Sequence, residues 1–334
     1  MAERKRIYVR GIGSYLPEKI LTNSDLERMV DTSDEWIVTR TGIRERHIAA
    51  EGQITSDLAT EAAKKALADA DLCPDDVDIV LVTTVVPDMQ FPSTACFVQQ
   101  KLGIGTKCPC VGMEVGCSGM IYLMELAAGL LERGPYRNVL TIAADKLSAV
   151  TDWTDRSTCV LLADGAAALV LTSENVKKRA ELLGTFLAAD GSGAEFLCMP
   201  GGGGRHPATA QTVADRLHYL KMNGREVFKR ALTDMGHAVE RLFERCSVGV
   251  DDVAHFIPHQ ANLRIIEAIA ERLSIPMERV VAVLDRTGNT SSASLGIAWD
   301  MALQEGRFHE GDLIVPFAFG AGLTSAAALL RWIG

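Results

Sequence analysis

The hydrophobic positions of this chain fall in short runs whose period switches between two and nearly four. Arg6 to Tyr15 reads as a strand that ends before Pro17. Ser24 and Glu27 then have the spacing of a capping box, and Thr32 and Glu35 repeat it, which places Trp36 and Arg40 close together on a short helix closed by Gly42. Ser56 caps a helix running to Ala70, and residues 78–86, DIVLVTTVV, form a β-branched run of the kind that marks a strand covered on both faces. The pattern predicts a helix over 91–102, extended chain over 109–115, and strands over 138–144 and 159–171. The most apolar stretch, residues 112–134, leads through Gly116-Cys-Ser-Gly119 into a segment from Met120 to Leu131 that is apolar on nearly every side and belongs in the middle of a protein. Such alternation predicts an α/β protein with helices on both faces of its sheets.

The second half runs through the same programme. DDVDIVLV at 75–82 is answered by DDVAHFIP at 251–258, CPCVGMEVG before Cys117 by VVAVLDRTG before Asn289, and DGAAALVL at 164–171 by SAAALLRW at 325–332. The helices that follow the first two pairs also end alike, in Leu-Gly-Ile and Leu-Ser-Ile, then in Glu-Arg-Gly and Glu-Gly-Arg. An offset of 172 residues, from Cys117 to Asn289, is too long for a solenoid unit and predicts duplication of a whole βα domain, with halves at 1–174 and 175–334.

Composition narrows the class. The chain has 334 residues, 48% hydrophobic and 23% charged, which is ordinary for a globular protein with more than one core-forming unit. A net charge of −9 argues against a nucleic-acid binder while leaving room for a local basic face. No apolar run has the length of a membrane span, and the start, MAERKRIYVRGIG, enters a strand and not an export signal, so a cytoplasmic location is expected. Eight scattered cysteines in such a chain do not suggest a disulfide framework, and Cys108-Pro-Cys110 lacks the spacing of a zinc pair, so no metal is expected.

Cys117 sits where a strand hands over to a helix, and a helix N-terminus favours a thiolate; the plain alternative is a small core cysteine. Asn289 occupies the equivalent corner of the second half, and His259 lies at another strand end, where α/β sheets place ligands. Together the three side-chain types make a nucleophilic site.

At these residues the chain resembles the β-ketoacyl synthase III family, the condensing enzymes that start bacterial type II fatty acid synthesis. The resemblance spans essentially the whole length and is carried by TSDEWIVTRTGIRERHI (32–48), GCSG (116–119), TDR (154–156), NGREVFKRA (223–231), PHQANLRII (258–266), GNTSSAS (288–294) and FGAG (319–322). It implies the thiolase fold, two duplicated halves in five αβαβα layers, as a homodimer. It implies condensation of an acyl-CoA primer, acetyl-CoA in the first instance, with malonyl-acyl carrier protein, both substrates, and no cofactor. Cys117 is the implied nucleophile, His259 and Asn289 the donors that stabilise the enolate formed on decarboxylation, and the Cys117 N–H with Gly320-Ala321-Gly322 an oxyanion hole. The resemblance assigns Trp36 and Arg156 to the CoA adenine, Arg40 to a phosphate and Asn262 to the pantetheine tunnel. It also makes Phe91 a residue that crosses the dimer interface and Phe319 a gatekeeper.

An acyl carrier protein is acidic, so its docking face should be basic. Lys221, Arg225, Lys229 and Arg230 cluster at the start of a helix whose apolar stripe is Phe228, Leu232, Met235, Val239 and Leu242, and Arg264 and Arg272 flank a second helix. Arg264 matches the family's main carrier-protein contact, with Lys229 and Arg272 beside it. Other readings are a synthase-III-like acyltransferase or starter-unit enzyme of specialised metabolism, and a Cys/His/Asn hydrolase. A thiolase would want a cysteine in FGAGLT, an elongating ketosynthase a histidine at Asn289, and a dinucleotide enzyme more than Gly11-Ile-Gly13.

Overall fold

The computed structural model describes residues 5–174 and 179–334. The boundary expected between the halves opens onto residues 175–178, outside the described residues, as does the start of the chain at 1–4. Nine strands form one hydrogen-bonded sheet: β1 (Ile7–Tyr15), β2 (Ile79–Thr83), β3 (Cys110–Met113), β4 (Asn138–Lys146), β5 (Asp164–Thr172), β6 (Ala180–Ala189), β7 (His255–Pro258), β8 (Leu313–Gly320) and β9 (Thr324–Trp332). Their order is β7-β8-β9-β6-β1-β5-β4-β2-β3.

That order reads the same from its seam outward. On one side β1 pairs antiparallel with β5, β5 antiparallel with β4, and β4 and β2 and then β2 and β3 pair in parallel. On the other, β6 pairs antiparallel with β9, β9 antiparallel with β8, β8 parallel with β7, and Phe256 of β7 meets Val280 in a parallel bridge. The seam is short, Ile7–Val9 against Leu182–Ala180. The repeat seen in three pairs of sequence segments therefore extends to β1 with β6 and β4 with β8, pairs whose side chains differ too much to align by eye.

Period-two burial explains the layers. On β2, Val80 and Val82 join Leu140 and Ile142 of β4 in a cluster under helices α1 (Thr55–Asp69) and α2 (Thr94–Leu102). Their neighbours Ile79, Leu81 and Val139 point the other way, onto helices α3 (Gly119–Arg133) and α6 (Ser294–Gln304). In the second half Ile314 and Ala318 face α3 and α6, while Val315 and Phe317 face α4 (Gly224–Cys246) and α5 (Leu263–Arg272). The result is five layers, helix, sheet, helix, sheet, helix, with α3 and α6 in the middle. Gly11 and Gly13 of β1 serve this packing, because a Cβ on either would stand 2.4 Å from the backbone of Ala66 on α1.

Several local expectations change. The first capping box is Thr22 with Asp25, because the Thr22 side chain accepts the Asp25 N–H and Asp25 accepts the Thr22 N–H. The helix expected over 91–102 starts at Thr94, capped by Ser93, and Phe91 lies outside it. Cys159 ends a turn of helix, Arg156–Cys159, and the strand begins only at Asp164. Helix α3 is buried along Met120, Ile121, Leu123, Met124, Ala127 and Leu131, yet Glu125, Leu126 and Gly129 are exposed, so one face is open. All eight cysteines are free. No helix among the described residues is long and apolar enough to cross a membrane.

Candidate active site

Cys117 lies in a single turn of 3-10 helix, Gly116–Ser118, one step before α3. The matching turn of the second repeat is Ser291–Ala293, before α6. By these turns the counterpart of Cys117 is Ser292, at an offset of 175, and Asn289 stands three residues earlier, so the 172-residue register is corrected here. The turn after β8 closes on the thiol: a Cβ at Gly320 would stand 2.6 Å from the Cys117 nitrogen, so only glycine lets the chain approach that N–H.

The expected resident thiolate is also corrected. Burial pushes the Cys117 thiol up to about 12, the nearby Asp145 charge adds to this, and contact with Ser291 only partly offsets it. Sγ lies 3.8 Å from Ser291 Oγ.

His259 follows β7, with its N–H bonded to the Phe317 carbonyl at 2.9 Å, and is only 5% exposed. Burial pulls its pKa down to about 4, so the imidazole is neutral near pH 7. Its Nδ1 is 2.7 Å from Ser294 Oγ, and that oxygen accepts the Gln260 N–H at 3.3 Å. The hydroxyl is thereby free to donate to Nδ1, which leaves the proton on Nε2. Gln260 is fully buried and donates to the Pro258 and Val281 carbonyls at 2.7 and 3.0 Å while accepting the Val283 N–H at 2.8 Å, tying the histidine loop to the segment that leads to Asn289. Asn289 is held by backbone bonds to Leu161 and Ala163, and its Oδ1 accepts the Ser291 N–H at 2.9 Å, leaving the amide Nδ2 as its donor.

Cys117, Asn289, Ser291 and Ala321 open on one cavity of about 560 Å³ whose walls include Val85, Leu147, Val150, Leu161, Leu162 and Leu220. His259 is not among its lining residues. Nor is Phe319, which is 4% exposed in the core under α4 and α5. Gly201 and Gly203 of the glycine run do line it.

Trp36 and Arg156 meet on the surface, Arg156 opening the turn of helix that carries Thr158 of the cavity wall. The Arg156 guanidinium carbon is 4.9 Å from the Trp36 ring centroid and that of Arg40 is 6.0 Å. Arg156 also donates to the Asp31 carbonyl at 2.7 Å. An intercalated planar ring needs roughly two contact distances of about 3.5 Å, so Arg156 must swing outward to admit one. Asn262 caps α5, its Oδ1 accepting the Arg264 N–H at 2.9 Å, and the next residue, Leu263, packs on Gly42 beside Arg40.

The basic cluster is sparser than the sequence implies. Arg230 pairs with Asp190 and Asp234, Lys221 with Asp152 at 3.7 Å, and Arg272 with Glu240 at 3.4 Å. Arg225, Lys229 and Arg264 are exposed and make no ion pair among the described residues. Phe91 is 86% exposed and is not among the residues that line the cavity, although its neighbour Gln90 is. No cluster of three or more potential metal ligands occurs among the described residues.

Sequence reasoning passed over Ser291, Ser294 and Asp145. The serines were in view within GNTSSAS, without roles; Asp145 gave no signal beyond one acidic residue ending an apolar strand.

Known proteins bear on this geometry. Residues 112–191 match the family 3-oxoacyl-[acyl-carrier-protein] synthase III, and residues 243–332 match that family's C-terminal region. A relative named β-ketoacyl-[acyl-carrier-protein] synthase III, from Caldanaerobacter subterraneus subsp. tengcongensis, is 52% identical over 332 residues, 99% of each chain. The solved 3-oxoacyl-[acyl-carrier-protein] synthase III of Aquifex aeolicus VF5 is 44% identical with a TM-score of 0.88, over 97% of this chain and 99% of that one. The priming β-ketosynthase of the R1128 polyketide pathway is 32% identical with a TM-score of 0.90, over 100% of this chain and 98% of that one.

Proposed function

The chain belongs to the 3-oxoacyl-[acyl-carrier-protein] synthase III family, and on that premise we propose how its thiolase fold carries out the condensation that initiates fatty acid synthesis. Cys117 attacks an acyl-CoA thioester and CoA leaves; malonyl-acyl carrier protein then binds, loses CO₂, and its enolate carbon takes the acyl group from the sulfur. Acetyl-CoA is the primer we propose. The single observation that carries the reading is the shared cavity. Cys117 and Asn289 open on it, a glycine turn lies against the Cys117 N–H, and a neutral histidine is bonded to Ser294, five residues past Asn289.

Each residue has a task set by its chemistry. Neutral His259 and the Asn289 amide donate to the enolate oxygen, and in a dry, preorganised site such donors are each worth about 10²–10³ in rate. The Cys117 N–H with the Gly320-Ala321-Gly322 turn holds the oxyanion of the tetrahedral intermediate. Trp36, Arg40, Arg156 and Asn262 hold CoA, with Arg156 swung off the Trp36 face. Lys229 and Arg264 receive the carrier protein, joined by Arg272 once its pairing with Glu240 gives way to the incoming acidic surface. No step calls for a metal or cofactor, because the nucleophile and the leaving CO₂ supply the chemistry. Phe91, too exposed to be left in water, packs across a homodimer interface, and the enzyme works in the cytoplasm. The boundary between residues 174 and 175 belongs to the same reading, supported by the strand order.

Mass spectrometry after incubation with acetyl, branched and medium-chain acyl-CoAs, then malonyl-acyl carrier protein, tests this. The expected result is an acyl adduct on Cys117 that discharges as a β-ketoacyl product; no adduct from any acyl-CoA overturns the reading. An adduct that malonyl donors cannot discharge favours an acyltransferase. A primer preference away from acetyl favours a starter-unit enzyme, which the likeness to the priming ketosynthase makes the one rival worth carrying.

A further inference from the structure

Arg46 is the largest fully buried side chain among the described residues, 0% exposed, and no step assigned so far uses it. It lies on the strand Glu45–Ile48, which pairs antiparallel with Lys19–Thr22. Burial lowers its pKa to about 10, so the guanidinium keeps its charge near pH 7, yet no carboxylate pairs with it among the described residues. A buried charge without a counter-ion is expensive, and an apolar side chain of similar size often serves stability as well.

The guanidinium supplies direction instead, as a planar fork with both ends in use. Nη1 donates to Asn23 Oδ1 at 2.7 Å and Nη2 to the Val160 carbonyl at 2.6 Å. Asn23 is a fixed anchor: its Nδ2 donates to Asp34 Oδ1 at 2.7 Å and to the Ile43 carbonyl at 3.0 Å. Asp34 in turn opens the helix Asp34–Thr41 that carries Trp36 and Arg40.

The other end of the fork holds the segment to which Asn289 is bonded. Val160 follows the turn Arg156–Cys159. The next residue, Leu161, accepts the Asn289 N–H at 2.9 Å, and the Ala163 N–H donates to the Asn289 carbonyl at 2.9 Å. The arginine stem borders the same place from the side. A Cβ on Gly288, which has φ +65, would stand 2.9 Å from Arg46 Cβ and 2.9 Å from Ala163 Cβ. Two residues before Arg46, the Arg44 N–H donates to the Asp285 carbonyl at 3.0 Å. Arg46 therefore meets the chain just before Asn289 and the chain beside it, with no hydrogen bond to the asparagine side chain.

We propose that Arg46 is a positioning residue for Asn289, fixing through the Val160 carbonyl and the Gly288 backbone the place from which the amide donates. The inference rests on the reading of Asn289 as a donor to the enolate oxygen. An oxyanion donor works only where it is already aimed, so a small displacement of its backbone costs rate without unfolding the chain. Acylation of Cys117 does not use the Asn289 amide and is independent of Arg46.

The two half-reactions separate positioning from a merely structural role. Arg46→Met fills similar space without donors or charge. Single-turnover acylation of Cys117 by acetyl-CoA is expected to keep its rate in this variant. Condensation of the acylated enzyme with malonyl-acyl carrier protein should slow by about 10²-fold, the scale of one lost oxyanion donor. Arg46→Lys keeps the charge but not the fork, so it should show the same split, and it carries the test if Arg46→Met does not fold. In an Asn289→Ala background, either Arg46 variant should add no further loss, because residues that act as a unit are not additive. Normal condensation in a folded variant, equal loss of both half-reactions, or losses that multiply in the double variant overturns the proposal. Hydrogen exchange reads the same positioning without activity: the Asn289 and Ala163 N–H groups should exchange about tenfold faster in the Arg46 variants, with α3 unchanged. Unchanged exchange at those two groups also overturns it. Faster exchange there, in a protein whose Asn289→Ala variant condenses normally, would sink the enolate reading of Asn289 and leave the positioning role standing.

Discussion

At the scale of the residue, burial decides the chemistry more than neighbouring charge does. His259 is pulled from 6.5 to about 4 by desolvation. An unfolded chain takes up this proton below pH 6.5 while the folded chain does not, so the histidine lowers stability as pH falls through 6.5 toward 4. Full release of that difference is worth about 3 kcal/mol. His259→Gln is therefore expected to flatten the fall in urea midpoint between pH 6.5 and 4, and an unchanged slope would contradict a buried neutral imidazole. Gly320 illustrates space instead of charge. A methyl group there meets the Cys117 nitrogen at 2.6 Å, so Gly320→Ala should cost about 1–3 kcal/mol of stability and slow acylation of Cys117 beyond detection, both readable in one preparation.

At the scale of the element, one side chain can serve a helix and a ligand together. Asn262 caps α5 through Oδ1, which leaves its Nδ2 for the pantetheine contact proposed above. Asn262→Ala should cost about 1 kcal/mol in denaturation and raise KM for acyl-CoA. Asn262→Ser restores the cap alone, so stability should return while KM stays high. If both return together, the residue is a cap and nothing more. A similar division explains why α3 is not buried all round: its first turns run on from the Cys117 turn between the two sheets, and its later turns emerge with Glu125 and Gly129 exposed.

At the scale of the whole molecule, an acidic enzyme must recognise an acidic partner. Of the basic side chains on α4 and α5, those with carboxylate partners are already neutralised, which leaves Arg225, Lys229 and Arg264 as the positive field at the starts of the two helices, with Arg245 at the far end of α4 turned to the Thr185 carbonyl. Arg264→Glu is expected to abolish use of malonyl-acyl carrier protein while Cys117 acylation by CoA esters proceeds at its normal rate; equal loss of both steps would remove Arg264 from the docking face.

Sequence alone determined what is written in local spacing. Strand and helix alternation, the duplicated βα units and the motifs around Cys117, His259 and Asn289 all depend on residues near one another in the chain, and their apolar periods survive without tertiary context. Cap positions slipped by one or two residues, as with Thr22 for Ser24, because several hydroxyls compete and only the folded backbone selects one. Tertiary structure decided the rest. It set the strand repeat that matches β1 with β6 and β4 with β8, the register that matches Cys117 with Ser292, and the ion pairs that quench Arg230 and Lys221. It also placed Asp145, from a strand end 28 residues past the thiol, against the Ser292 hydroxyl of the other repeat. The physical reason is that a pKa, a cavity wall or a free cation depends on what lies across the fold. Cys117 belongs to both accounts: its position was written in the chain, and its protonation was set by burial.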